Sequence, residues 1–247
     1  MHFLKTLGSN ILILGDGNLT FSLSLSRIFP DKYIIATVYE EENECKNTKV
    51  VFKVDALDFE KVSGKTKFTD IIFNFPHYGG KTNLRKCRLL LRKIFESVAR
   101  NLMASEPRSS RFHVTLAPGQ SGIEATDLIY TDVPPKHNKP LELASEFGLV
   151  ATSVERFDSY KFPEYSSSGY KNTQRGFKNG KNSQTITFEW NGYFIDVERF
   201  SLERVKFRPV FQYHISIVFG SSHNWQDIEK TEGHLFNLMS HVQAFAC

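Results

Sequence analysis

Hydrophobic positions along this chain cluster in short continuous runs. Ile11-Leu12-Ile13-Leu14, Tyr33 to Tyr39, Val50 to Val54, Phe68 to Phe75 and Phe112 to Ala117 are five of them. The unbroken apolar run Ile11 to Leu14 reads as a strand covered on both faces, Tyr33 to Tyr39 as a second buried strand, and the other three as further strands. Leu149 to Phe157 and Gln184 to Trp190 add two more. Between the runs the spacing turns helical. Leu19 to Phe29 carries apolar residues at Leu19, Phe21, Leu23, Leu25, Ile28 and Phe29. Asn83 to Ala104 carries a stripe of Leu84, Leu91, Phe95, Val98 and Leu102, broadened by Cys87 and Ile94. Leu141 to Phe147 predicts a short helix ended by Gly148. Strand and helix alternate as far as Gly148, and two adjacent strands then close the sheet. The order predicts a Rossmann-like, doubly wound α/β sheet of seven strands, mostly parallel with an antiparallel edge strand.

The first run ends in Gly15-Asp16-Gly17-Asn18. Glycines let the backbone turn where a Cβ would clash, and a strand, glycine turn and helix bring backbone N–H groups to a helix N-terminus, where a nucleotide-like ligand can meet them. Gly15 and Gly17 match a dinucleotide fingerprint, but Thr20 stands at its third glycine, which argues against a strict nicotinamide site. No Gly-Lys-Ser/Thr follows, so a Walker phosphate loop is excluded. The looser pattern of S-adenosylmethionine sites remains, and a tight βα turn without a ligand fits equally. Glu40 ends the second strand, roughly the 20 residues further on at which a ribose-binding acid is expected. Asp55 ends the third, where a side chain could meet an adenine amino group.

Composition changes this picture little. Hydrophobic residues make up 40% of the 247 and charged residues 23%, which fits an ordinary globular protein rather than a disordered or membrane-spanning one. A formal charge of +4 permits a nucleic-acid partner without requiring one. Three cysteines, none in a CxxC pair, predict neither a metal site nor a disulfide framework and fit a reducing compartment. The N-terminus lacks a signal-peptide layout, and no run reaches the roughly 20 apolar residues of a membrane helix. The expectation is an intracellular protein, cytoplasmic or nucleolar, with no metal and no membrane partner.

Phe73-Asn74-Phe75-Pro76-His77 leaves the fourth strand close to the reactive end of such a cofactor. It resembles the Asn-Pro-Pro-aromatic turn of methyltransferases acting on base nitrogens, in which amide and backbone oxygens hold the target nitrogen. His77 could take the imide proton of a uracil, its unperturbed pKa lying near neutrality; a turn histidine bonded to a carbonyl is the plain alternative. Two basic zones could hold RNA. Arg85, Arg88 and Arg92 share the helix face opposite the apolar stripe. The connection from Gly169 to Lys181 mixes Tyr170, Lys171, Arg175, Phe177 and further cations with glycines, a composition suited to base stacking and phosphate contact. A solvated helix face and a flexible hairpin loop explain the same residues.

Taken together, the motifs resemble those of the large-subunit rRNA uridine-N3 methyltransferase-like domain family. Gly-Asp-Gly-Asn-Leu-Thr-Phe-Ser stands at Gly15 to Ser22, Ala-Thr-Val-Tyr-Glu at Ala36 to Glu40, Val-Asp-Ala at Val54 to Ala56, and Phe-Asn-Phe-Pro-His at Phe73 to His77. Gly169 to Gly176 resembles the family's Gly-Tyr-x-Asn-x-x-Arg-Gly. Gly119-Gln120-Ser121-Gly122 is similar to the Gly-Gln-Gly-Gly of the methyltransferase-like part of ferredoxin-fold anticodon-binding domain-containing proteins. The resemblance implies an S-adenosylmethionine methyltransferase acting on a uridine N3 of ribosomal or other structured RNA. It implies Gly15, Asp16, Gly17 and Asn18 at the methionine end, Glu40 on the ribose, Asp55 on the adenine, and Asn74, Pro76 and His77 around the base. Arg85, Arg88, Arg92, Tyr170, Lys171 and Arg175 would touch RNA. A shortened link between the second and third strands, and Leu19-Thr20 in place of Phe-Ser, fit the alternative of a non-catalytic RNA- or synthetase-associated module. The expected organisation is a methyltransferase-like domain over 1–190 and an extension over 191–247, similar in part to the start of an anticodon-binding domain.

Overall fold

The computed structural model describes residues 2–39, 49–59, 62, 67–78, 83–103, 109–123, 138–167 and 182–190. The expected extension over 191–247 lies outside the described residues. Seven strands form one sheet: β1 (Asn10–Leu14), β2 (Tyr33–Thr37), β3 (Lys49–Val51), β4 (Asp70–Asn74), β5 (Arg111–Leu116), β6 (Leu149–Arg156) and β7 (Gln184–Trp190). Their spatial order is β3-β2-β1-β4-β5-β7-β6. The first five strands pair in parallel. β7 runs antiparallel to both β5 and β6, so the reversed strand sits one place in from the edge, slotted into a hairpin with β6. This is the Rossmann-like, mostly parallel seven-stranded sheet that the strand pattern predicts.

Alternation along each strand sorts the core into two layers. Leu12, Leu14, Ile71, Phe112, Val114, Leu116 and Phe188 face one side and pack against the helix α3 (Leu84–Met103) and the short α4 (Pro140–Ser145). Phe95 of α3 meets Phe112 and Phe188 edge-on, with centroids 5.9 and 5.1 Å apart. Asn83 starts α3 by accepting the Lys86 N–H on Oδ1 at 3.0 Å, a capping arrangement. Ile11, Ile13 and Ile72 face the other side, against α2 (Thr20–Ile28), the N-terminal turn α1 (Phe3–Thr6) and aromatic residues following β6. α1 carries no helical period in the sequence, being only four residues long. β3 is shorter than the run from Val50 to Val54, because Lys53 adopts a left-handed φ of 57° that ends the pairing.

The end of the sheet away from the strand C-termini is closed by a buried polar cluster. Asp70 and His113 are both fully buried. His113 Nε2–H donates to Asp70 Oδ1 at 2.9 Å, Gly8 N–H donates to Oδ2 at 2.7 Å, and Arg111 Nε lies 3.1 Å from Oδ1. The second His113 nitrogen meets the Thr187 hydroxyl at 3.0 Å, and the Phe3 ring covers the imidazole at 5.0 Å. Burial pushes the Asp70 carboxyl up, but His113, the Gly8 N–H and Arg111 together hold it below its ordinary value.

Candidate active site

Parallel strands end together, so loops after β1, β3 and β4 meet at one rim of the sheet. A cavity of about 470 Å³ opens there, within the usual range of small-molecule sites. Gly15, Asp16, Gly17, Asn18, Asp55, Asn74 and His77 all line it. The residues singled out at three separate strand ends therefore share one space.

Gly15 sits at φ +62°, and a Cβ there would come within 2.9 Å of the Phe73 ring. Glycine is thus required twice, by conformation and by contact. Asp16, 9% exposed, does not reach out as a free carboxylate. It accepts the Ser22 N–H at 2.7 Å, the Ser22 hydroxyl and the Phe21 N–H, all from the first turn of α2. The helix N-terminus that the sequence suggests for a ligand is filled by the chain's own acid. Leu19 enters the helix at a left-handed φ of 59°, with its N–H donating to the Asp16 carbonyl at 3.0 Å. Burial raises the Asp16 pKa above its ordinary value in spite of these bonds.

Asn18 and Thr20 bind the turn to a distant segment. Asn18 Nδ2 donates to the Ser166 carbonyl at 2.9 Å, and the Thr20 hydroxyl donates to Asn18 Oδ1 at 2.8 Å and accepts the Ser166 N–H at 3.1 Å. Arg27 on α2 pairs with Glu164 beside them. The threonine in place of a third glycine is therefore the fastening point of the wall formed by Tyr165, Ser166 and Ser167. Sequence reading missed these three; their signal is tertiary, carried by bonds spanning some 146 residues.

Asp55 is exposed at the cavity edge, with Oδ1 accepting the Leu57 N–H at 2.9 Å. Asn74 ends β4, and its Oδ1 accepts the Thr115 hydroxyl at 2.7 Å. Phe75 is left-handed at φ 55° immediately before Pro76, a position where sterics disfavour that conformation. The Phe75 N–H donates to the Thr115 carbonyl at 2.8 Å, and its ring lies edge-on to Phe157 at 5.4 Å, which together hold the turn. Pro76 is buried and forms no part of the cavity wall, so it shapes the turn from behind. The ring at the mouth is Tyr78, half exposed, with the Lys86 ammonium 4.9 Å above it; Tyr39 stands exposed on the wall as well. Their place next to the predicted strand-end acid and turn was the available clue.

Of the basic residues, Arg85 is exposed and Arg88 half-buried on α3. Arg92 is turned inward: its Nε lies 2.6 Å from Glu146 Oε2, and its guanidinium covers the Phe147 ring at 5.2 Å. Glu40, Tyr170, Lys171 and Arg175 lie outside the described residues. Among the described residues no helix is long and apolar enough to cross a membrane.

A family model described as "rRNA (uridine-N3-)-methyltransferase BTM5-like" matches residues 12–169. The ferredoxin-fold anticodon-binding domain-containing protein 1 homolog of Mus musculus is 29% identical over 189 residues, covering 68% of this chain and 29% of that protein. The Homo sapiens protein of that name gives the same identity and coverage. The chain thus spans under a third of the length of these relatives. Among solved structures, the 16S rRNA methyltransferase KamB aligns at a TM-score of 0.46 and 12% identity, over 77% of this chain and 92% of that one.

Proposed function

We propose, since the chain belongs to the BMT5-like family, that it transfers a methyl group from S-adenosylmethionine to an RNA base, a uridine N3 of ribosomal RNA being the expected target. The observation that supports this is that Gly15, Asp55, Asn74 and His77 line one cavity. The cradle suits the cofactor, because Gly15 leaves bare backbone where any side chain would collide with Phe73. When bound, S-adenosylmethionine supplies an electrophilic methyl group on a sulfonium.

The chain's residues then have distinct tasks. Gly15 and Gly17 give the methionine end room, while Asp16, Asn18 and Thr20 hold the turn in shape. Asp55 would hold the adenine and Glu40 the ribose, as the family resemblance implies. Asn74 and the strained Phe75-Pro76 turn fix the height of the base, and His77 accepts the imide proton as the nitrogen becomes nucleophilic. Tyr78 offers a stacking face at the mouth, where an extruded base would enter. Catalysis in this scheme is mostly alignment, which is where effective concentration contributes most.

Calorimetry with S-adenosylmethionine, followed by mass-spectrometric analysis of nucleosides from treated RNA, tests the reading. Cofactor binding with N3-methyluridine formation is expected. Absence of binding heat at high protein concentration would sink it. RNA binding without methyl transfer would instead mark a non-catalytic module.

A further inference from the structure

The chain leaving β6 at one edge of the sheet crosses towards β1, where Ser166 is fastened to Asn18 and Thr20 at the start of α2. Arg27 of α2 pairs with Glu164 on the same strap. Four rings close a circuit between the strap and α2. Phe157 stacks on Phe162 at 5.7 Å, and Phe162 lies 4.7 Å from Phe21. Phe21 meets Tyr165 edge-on at 5.9 Å, and Tyr165 meets Phe157 edge-on at 5.7 Å. Phe21, Phe157 and Phe162 are buried. A fifth ring hangs on the circuit: Phe75 of the base turn, edge-on to Phe157 at 5.4 Å.

The strap therefore bears on both halves of the cavity. Tyr165, Ser166 and Ser167 line it beside the glycine turn, whereas Phe157 lines none of it and holds the Phe75 ring. Phe75 keeps a left-handed φ of 55° before Pro76, a conformation that persists only while its surroundings impose it. The Thr115 carbonyl fixes the Phe75 N–H, and Phe157 fixes the ring. The first contact belongs to the sheet; the second lasts only while the strap is fastened. We propose that the strap couples the two ligands: one seated against Gly15 to Asn18 also bears on Tyr165 to Ser167, keeps the strap fastened, and so keeps the Phe75-Pro76 turn in the shape that receives RNA. A ligand shifts an equilibrium only through contacts that differ between the states, and the strap residues in the wall supply them. The coupling is reciprocal, so RNA tightens the cofactor by the same factor. Phe157 is a positioning residue, acting through Phe75 from outside the cavity.

The inference rests on the proposed cofactor-and-base reading of the cavity, and the test separates the two. The full chain is first titrated with S-adenosylmethionine by calorimetry. Its affinity for a fluorescent oligouridylate is then measured by anisotropy, without cofactor and at saturating S-adenosylhomocysteine. Expected is about a tenfold gain with S-adenosylhomocysteine present, within the usual span of coupling between sites. Phe157→Leu keeps an apolar side chain but removes the ring, and should abolish most of that gain. Phe188→Leu removes a buried ring on the other face of the sheet; it should lower the thermal midpoint and leave the gain intact. Thr20→Val combined with Glu164→Ala unfastens the other end of the strap without touching a core ring, and should also reduce the gain. Equal RNA affinity in the two states, a loss in place of a gain, or a gain untouched by both strap variants overturns the coupling and leaves the cofactor reading intact. An equal fall in Phe188→Leu marks general loosening and overturns it as well. No binding of S-adenosylmethionine overturns both.

Discussion

At the scale of single residues, the site is set by two positions whose roles are opposite. Gly15 is needed for what it lacks. Gly15→Ala places a methyl group 2.9 Å from the Phe73 ring in a left-handed backbone. That conformation alone costs roughly 1–2 kcal/mol for an L-residue. The expected outcome is a loss of that order in a urea unfolding curve, with cofactor affinity reduced at least about tenfold by calorimetry as the ring is pushed towards the cavity. Asp16 is needed for what it holds. Burial raises its folded pKa above the ordinary 3.8, so the acid's contribution is complete below that value and is lost as the pH rises through the folded pKa. An asparagine amide at this position would keep an oxygen for the Ser22 N–H and carry no charge. Asp16→Asn should therefore gain on the wild type as the pH rises above 3.8, and midpoints of chemical unfolding measured from below that value to neutrality check it. Equal pH dependence of the two proteins would count against a buried carboxylate.

At the scale of elements, the two ends of the sheet carry different duties. The far end is held by Asp70, which faces His113, Arg111 and the Gly8 N–H. Its pKa is lowered, so its stabilisation is present above 3.8 and disappears as the pH falls through the folded value. Asp70→Asn should lose roughly 1–3 kcal/mol at neutral pH and show a weaker acid limb below pH 3.8, with cofactor affinity unchanged. At the near end, Thr20→Val removes one of the two side chains that tie the turn to Ser166, leaving Asn18, and should weaken cofactor binding while barely moving the unfolding midpoint. The strands were legible because a strand covered on both faces is short and rich in β-favouring apolar residues, as Ile11 to Leu14 is throughout and Phe112 to Leu116 is apart from the buried His113 and Thr115. Their C-terminal acids and Asn74 were legible for a topological reason: parallel strands deliver their ends to one rim. Ser166 was not, since nothing local to a serine before a glycine-rich loop tells which turn it will grip. Nor was the fate of Arg92, whose charge looks solvent-facing on a helical wheel until α4 brings Glu146 against it.

For the molecule as a whole, RNA affinity would come from cations open to solvent near the cavity mouth rather than from every cation on α3. Arg85 and Lys86 are exposed, and Lys86 stands over Tyr78 beside the cavity. Arg92 is spent on Glu146 and Phe147. Phosphate contacts release counterions, so each one steepens the fall of binding with salt; on a single strand the slope changes by about 0.7 per contact. Arg85→Ala combined with Lys86→Ala should therefore lower the slope of log affinity against log salt by about 1.4. Arg92→Ala should leave that slope unchanged and register as a lowered thermal midpoint, because it strips the partner from a half-buried glutamate. Anisotropy titrations of one oligouridylate at several salt concentrations separate the two classes. An unchanged slope in the double variant would move the RNA path away from α3, and a slope altered by Arg92→Ala would mean that its ion pair opens to the nucleic acid.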